Sequence, residues 1–299
     1  MIKYSTPERP YIDMHHHFGR TINRAPMVGV NLPMALARNA ATNTVASISM
    51  PVATGSPILN GMADIRAINE MASGARAAFP KTFPLVLGIS EVRFGESGLD
   101  ELDRAFRELA LDGFVDHPPF NESSLPFIEV AAAYGGLCNL HCHTPLMGRI
   151  ARSFPGLTFI VHASTYATEH LSDLENLVFE VVQFPDGRGT KWDFHDLANA
   201  VGQDRIIYGA DQPYYDFRHL QNEIEAAPIS DDLKDRIAWK NAEMLIQRFW
   251  PEWQMPSKPE EAPRVYDPEI LWAVNPEMED RLTVDVIRGP VDVSAIIQK

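Results

Sequence analysis

Tyr11-Ile12-Asp13-Met14-His15-His16-His17 reads as a first β-strand that runs out of apolar residues into a triple histidine. In an extended chain residues two apart point to the same side, so Asp13, His15 and His17 share one face and His16 takes the other. Two imidazoles aimed at one point form a candidate metal pair, because imidazole is the commonest ligand of zinc and related ions. An exposed histidine cluster would carry no chemistry. The strand context, Gly19 for a turn just beyond, and the carboxylate of Asp13 favour the metal pair over that cluster.

Downstream, short apolar runs alternate with segments of helical periodicity as far as Asp211. The expected strands are 11–17, 45–50 closed by Pro51, 83–92, 113–116, 137–142, 157–162, 178–183 and 205–208. Helices are expected over 32–42, 62–78, 99–111, 127–134, 147–154 and 194–201. This order predicts an α/β fold, a (β/α)8 TIM barrel with a proline-rich C-terminal extension. A barrel of this kind needs about 250 residues and the chain has 299. Residues 1–249 are expected to form the barrel, ending in an amphipathic helix over 231–249, and 250–299 an extension or arm. Six prolines between Pro251 and Pro276, with Trp253 and Trp272, suit an extended arm laid on the barrel or on a second copy of the chain in a homodimer.

A net charge of -14 excludes a nucleic-acid partner, which would require a basic surface. No apolar run approaches the ~20 residues of a membrane span. The first strand begins too early for a secretion signal, so a cytoplasmic protein is expected. Cys138 and Cys142 are read as reduced thiols, since two cysteines neither staple so long a chain nor make a zinc knuckle.

Barrel active sites lie at the carboxyl ends of the strands, which singles out further residues. His162 ends the apolar run Phe159-Ile160-Val161, and Asp211 follows Ile206-Ile207-Tyr208 through Gly209 and Ala210. A carboxylate there can bind a metal and accept a proton from its water, whereas an unpaired buried aspartate would be expensive. Arg93 ends the third strand, where a guanidinium can clamp a substrate carboxylate, though arginines at such ends also serve surface ion pairs. His117 stands where the fourth strand opens into the mouth and is a candidate to orient a polar substrate group.

Taken in order, these features resemble the amidohydrolase-related branch of the amidohydrolase superfamily, the group that includes aminocarboxymuconate semialdehyde decarboxylase. Asp13-Met14-His15-His16-His17 is similar to the family's first-strand Asp-x-His-x-His, and Phe154-Pro155-Gly156-Leu157 leading to His162 to its sixth-strand approach. Gly209-Ala210-Asp211-Gln212-Pro213 is similar to Gly-Ser-Asp-x-Pro, with alanine for serine, and Asn241-Ala242-Glu243-Met244-Leu245 to Asn-Ala-x-x-Leu. The resemblance implies one divalent ion, usually zinc with manganese as the other choice, held by His15, His17 and Asp211. Histidines of the fifth and sixth strands, His143 or His141 and then His162, serve as further ligands or proton carriers. His143 precedes Thr144, as in the family, while His141 sits nearer the strand centre. The fourth strand ends without a lysine, so a lysine-bridged pair of metals has no candidate. Asp13 is expected to orient a ligand histidine rather than touch the ion.

The activity implied is hydrolysis: a metal-activated water attacks the carbonyl of a small carboxylated lactone, ester or amide, with Asp211, His162 and His143 moving protons. The alternative on the same residues is metal-dependent nonoxidative decarboxylation. Metal-free hydrolysis is a further variant of the first, and a barrel without catalysis, serving as a binding module, is the reading from another class.

Overall fold

Runs of consecutive buried residues mark the strands, as expected where both faces of a parallel sheet are covered. In the computed structural model, which describes residues 6–21, 28–30, 32–51, 61–116, 121–141, 145–182, 192–212 and 217–261, the barrel strands are β1 (Tyr11–Asp13), β2 (Thr44–Ser47), β3 (Leu87–Gly88), β4 (Gly113–Asp116), β5 (Leu137–Leu140), β6 (Thr158–His162), β7 (Leu177–Val181) and β8 (Ile206–Tyr208). β3 to β8 pair in order as one parallel sheet, and β1 pairs with β2. Backbone bonds cross both remaining gaps: Ser49 N to Leu85 O and Leu87 N to Ser49 O on one side, Met14 N to Tyr208 O on the other. The result is a (β/α)8 barrel.

Helices α1 (Leu32–Ala41), α2 (Met62–Ala78), α3 (Gly95–Leu109), α4 (Leu125–Ala133), α5 (Pro145–Ser153), α6 (Thr165–Leu171), α7 (Phe194–Val201) and α8 (Phe217–Ala226) follow the strands in turn. Outward residues such as Cys138, Leu140, Phe159, Val161, Phe179, Val181 and Tyr208 pack against them in one cluster. The alternate residues Ile12, Val115, Leu137, Ile160 and Ile207 form the inner cluster, with Val178 packed against it.

After α9 (Asp231–Asp235) a π-helical turn, Arg236–Lys240, leads into α10 (Asn241–Phe249). Asn241 Nδ2 donates to Gln203 O and Ile206 O, both at 2.8 Å, and so anchors the start of β8. Ala242, Leu245 and Ile246 join the inner cluster, as does Trp253 from the proline-rich stretch, whose Nε1 donates to Lys81 O at 3.1 Å. Trp272 lies outside the described residues. Among the described residues no helix is long and apolar enough to cross a membrane.

Three elements differ from expectation. The first strand does not run unbroken to His17: Asp13 Oδ1 accepts from His15 N at 3.0 Å, which takes that amide out of the ladder, and a new strand, His17–Thr21, begins beyond. It pairs with Met50–Pro51 and, antiparallel, with Val28–Val30. The third strand shrinks from 83–92 to Leu87–Gly88, because Ser90 Oγ caps Gly98 O and the chain coils at Val92–Phe94 before α3. Helices α6 and α8 were not anticipated. α6 has only seven residues, started by Ser164 Oγ accepting from Ala167 N at 3.1 Å.

Candidate metal centre

Along β5, β6 and β7 the inward row changes from apolar to polar towards the carboxyl end: Leu137 to Asn139 to His141, Ile160 to His162, Val178 to Glu180. Register places Glu180 opposite His162 in one layer above the inner apolar cluster, while Asn139 stands one step lower, opposite Ile160, and its side chain reaches Glu180. The loops after β1 and β8 bring His15, His17 and Asp211 to the same layer.

His15 Nε2 and His17 Nε2 lie 3.0 Å apart, and Asp211 Oδ1 is 3.3 Å from the first and 3.5 Å from the second. Ligand atoms bound at ~2.0–2.2 Å around one ion stand roughly 3.0–3.4 Å from each other, so this donor set fits a divalent cation. His17 Nδ1 donates to Pro51 O at 2.9 Å, and because a carbonyl only accepts, the Nε2 lone pair faces the other two donors. Asp211 has φ 48, in the left-handed region, and the next residue is tied down by His17 N donating to Gln212 O at 3.0 Å.

Glu180 is fully buried, with Oε1 2.9 Å from His15 Nδ1 and 3.2 Å from His162 Nε2. Asn139 Nδ2 donates to its two oxygens at 3.4 and 3.5 Å. The His141 ring lies 4.3 Å from that of His162 and 5.0 Å from that of His15, centre to centre. A second group of ligand atoms, on His15, His141, His162 and Glu180, therefore adjoins the first.

The electrostatics follow from burial and pairing. Burial alone would raise Glu180, but the positive charge of His15 and His162 and their hydrogen bonds outweigh it and hold the carboxyl at about 2. Asp211 is likewise driven far below the carboxylate range, burial being overcome by the charge of His15 and the bonds from both imidazoles. Burial disfavours charge on His15, yet Glu180 and Asp211 lift it well above the ordinary value; His17 falls, mainly through burial. Anionic oxygens beside buried imidazoles are the donor types a divalent cation takes.

Of the other expected residues, Asp13 reaches neither ligand ring. Its Oδ1 accepts from the backbone of His15 and, at 2.8 Å, of Ala210, and so clamps the β1 and β8 loops together. His16 turns away, 3.4 Å from Asp13 Oδ2, with its ring tilted against those of Phe18 and Phe83. Arg93 lies in the turn before α3, half exposed and paired with Glu91, and its guanidinium stacks on Phe94. His117, His143, Cys142 and Pro213 lie outside the described residues; the fifth-strand histidine seen in the cluster is His141. Cys138 is a buried free thiol on the outer face of β5, raised by burial. Sequence reasoning passed over Glu180 and Asn139, although a glutamate inside Leu177-Val178-Phe179-Glu180-Val181-Val182 is itself a signal.

The barrel is similar to that of 2,6-dihydroxybenzoate decarboxylase from Rhizobium, at 14% identity and TM-score 0.61 over 81% of this chain and 99% of the other. It is similar also to 5-carboxyvanillate decarboxylase from Novosphingobium aromaticivorans with bound manganese, at 14% identity and TM-score 0.62 over 82% and 100%. A third similar structure is dihydroxybenzoic acid decarboxylase from Polaromonas sp., again with manganese, at 15% identity and TM-score 0.57 over 80% and 97%. No curated protein matches the chain in sequence. The family model for amidohydrolase matches residues 12–248, nearly the whole barrel, and the chain therefore belongs to the amidohydrolase family.

Proposed function

We propose that the protein is a metal-dependent decarboxylase of a small aromatic or dienoic acid, with His15, His17 and Asp211 holding one divalent cation, His141 beside them, and His162 supplying the proton. The observation that carries this reading is His162 itself: its imidazole sits 3.2 Å from a fully buried carboxylate and one ring away, 4.9 Å between centres, from His15. An imidazole beside the proposed ion can supply a proton to an acid held there. The similar barrels named for decarboxylation of hydroxylated benzoates support it. Imidazole and carboxylate donors suit manganese as well as zinc.

When bound, the cation supplies positive charge that holds an anionic substrate group and draws electron density from it. The bond between ring carbon and carboxylate breaks, carbon dioxide leaves without the electron pair, and a proton from the His162 imidazole goes to the carbon that keeps it.

Hydrolysis of a lactone, ester or amide remains the second reading, because the Asp211 side chain is 12% exposed beside both imidazoles, where a carboxylate can take a proton from attacking water. Carbon dioxide release from a panel of hydroxybenzoates, set against hydrolysis of carboxylated lactones and amides, separates the two. His162→Asn is expected to lower decarboxylation by about 100-fold or more with metal content unchanged. Turnover of lactones or amides alone would overturn the decarboxylase reading.

A further inference from the structure

Glu180 has no part in the ligand triad, yet it is a fully buried acid set between two of the histidines. We infer that Glu180 is a positioning residue that fixes which nitrogen of His15 faces the ion: its anionic oxygen against Nδ1 keeps the proton on that atom and leaves Nε2 as the metal-facing lone pair beside His17 and Asp211. The inference rests on the metal centre proposed above and is independent of the reaction catalysed there.

Three observations carry it. Oε1 lies 2.9 Å from Nδ1, and a bare Nδ1 lone pair facing an anionic oxygen at that distance would be repelled, which favours the His15 form with its proton on that atom. His17 shows the same arrangement with a different acceptor, Nδ1 donating to Pro51 O at 2.9 Å. Both histidines are thus held from behind while their Nε2 atoms meet at 3.0 Å. A charged acceptor behind one ligand makes that imidazole the more basic of the pair. Finally, the site is shaped to admit this contact. A Cβ on Gly209 would stand 2.7 Å from His15 Cβ and 3.4 Å from Glu180 Oε2, so only glycine leaves the gap in which the two side chains meet.

The same carboxylate lies within reach of His141 and His162, which raises the competing assignment of Glu180 as ligand to a second ion. His15 would join that set through Nδ1 only by giving up both ring protons. Behind a single ion, one carboxylate instead holds His15 by its Nδ1 and His162 by its Nε2, and the register that sets Glu180 opposite His162 makes this double reach available to one side chain.

The test uses the full chain. Zinc affinity is measured by chelator competition for the wild type and Glu180→Gln, with far-UV circular dichroism as the check on folding, and ¹⁵N-histidine spectra are recorded on the zinc-loaded wild type. Expected are one equivalent of zinc, a weakening of roughly 10- to 100-fold in Glu180→Gln, and His15 protonated at Nδ1 with a proton shifted far downfield. Equal zinc affinity in a folded Glu180→Gln, or a wild-type spectrum with His15 bare at Nδ1, overturns the role of Glu180 alone. A second equivalent of zinc that Glu180→Gln loses overturns it in favour of a ligand. If the variant does not fold, the wild-type spectrum decides. A wild type that binds no zinc or manganese overturns the centre itself.

Discussion

Asp13→Ala removes one oxygen that serves two backbone amides at once. Oδ1 takes His15 N at 3.0 Å and Ala210 N at 2.8 Å, on a side chain with no solvent exposure. An amide stranded in such a place costs about 1–3 kcal/mol, so two cost about 2–6 kcal/mol. Against a domain stability of about 5–15 kcal/mol this is a large fraction. Removing a buried charge returns part of it, and His16 Nδ1, 3.4 Å from Oδ2, loses its neighbour. Asp13→Asn keeps an acceptor for both amides and gives up only the charge, which lowers the expected loss to about 1–2 kcal/mol. Urea unfolding followed by tryptophan fluorescence and far-UV circular dichroism, extrapolated linearly at unchanged slope, measures both. Because one of the stranded amides belongs to His15, the alanine variant is also expected to bind metal more weakly than the asparagine variant. Equal losses in the two variants, or a loss below about 1 kcal/mol for alanine, would refute the clamp and the explanation of why β1 stops at Asp13.

Gly209→Ala drives a methyl to 2.7 Å from His15 Cβ; it is expected to cost about 1–3 kcal/mol and to deplete the bound metal, and full metal content at wild-type stability would count against the packing described. Tyr11 donates to Glu225 Oε1 at 2.8 Å, and burial, then the Glu225 charge and that bond, raise its ionisation above the ordinary 10.0. A raised folded-state value gives stability that is complete below pH 10.0 and lost as pH climbs beyond it, so the wild-type urea midpoint is expected to fall above pH 10.0 more steeply than that of Tyr11→Phe; parallel curves would sink the idea. Trp253→Ala is expected to cost about 3–5 kcal/mol in urea, since Trp253 is 1% exposed in the inner cluster; a surface arm would lose almost nothing. Arg93→Ala is expected to leave KM within about twofold, as befits a half-exposed ion pair, and a tenfold rise would restore the carboxylate clamp.

The strand order was legible because parallel barrel strands are apolar on both faces and stand out as runs, and because Pro51, Pro155 and Gly156 punctuate them. Parity also foresaw that His15 and His17 would meet, although the strand breaks between them: Asp13 removes one amide from the ladder without reversing the direction of the side chains. Side-chain competition for a backbone donor leaves no trace in hydrophobic pattern, which is why the break was missed. α6 escaped for a related reason, since seven residues hardly establish a period. Glu180 is different. The argument applied to Asp211, that a carboxylate in an apolar run must have a reason to be there, holds equally for a glutamate flanked by Phe179 and Val181, and on inward parity with Val178 it pointed to the barrel mouth. Parity could not choose between His141 and His143, which share it; His141 stands beside His162, and His143 lies outside the described residues.

The backbone of Asp211, at φ 48, carries a meaning beyond geometry. An L-residue in that conformation costs about 1–2 kcal/mol that glycine would not. For the ligand role proposed above, position 211 is one where the backbone preference and metal capture pull in opposite directions. Asp211→Gly would relieve that backbone conformation and in the same step remove the carboxylate that both imidazoles face.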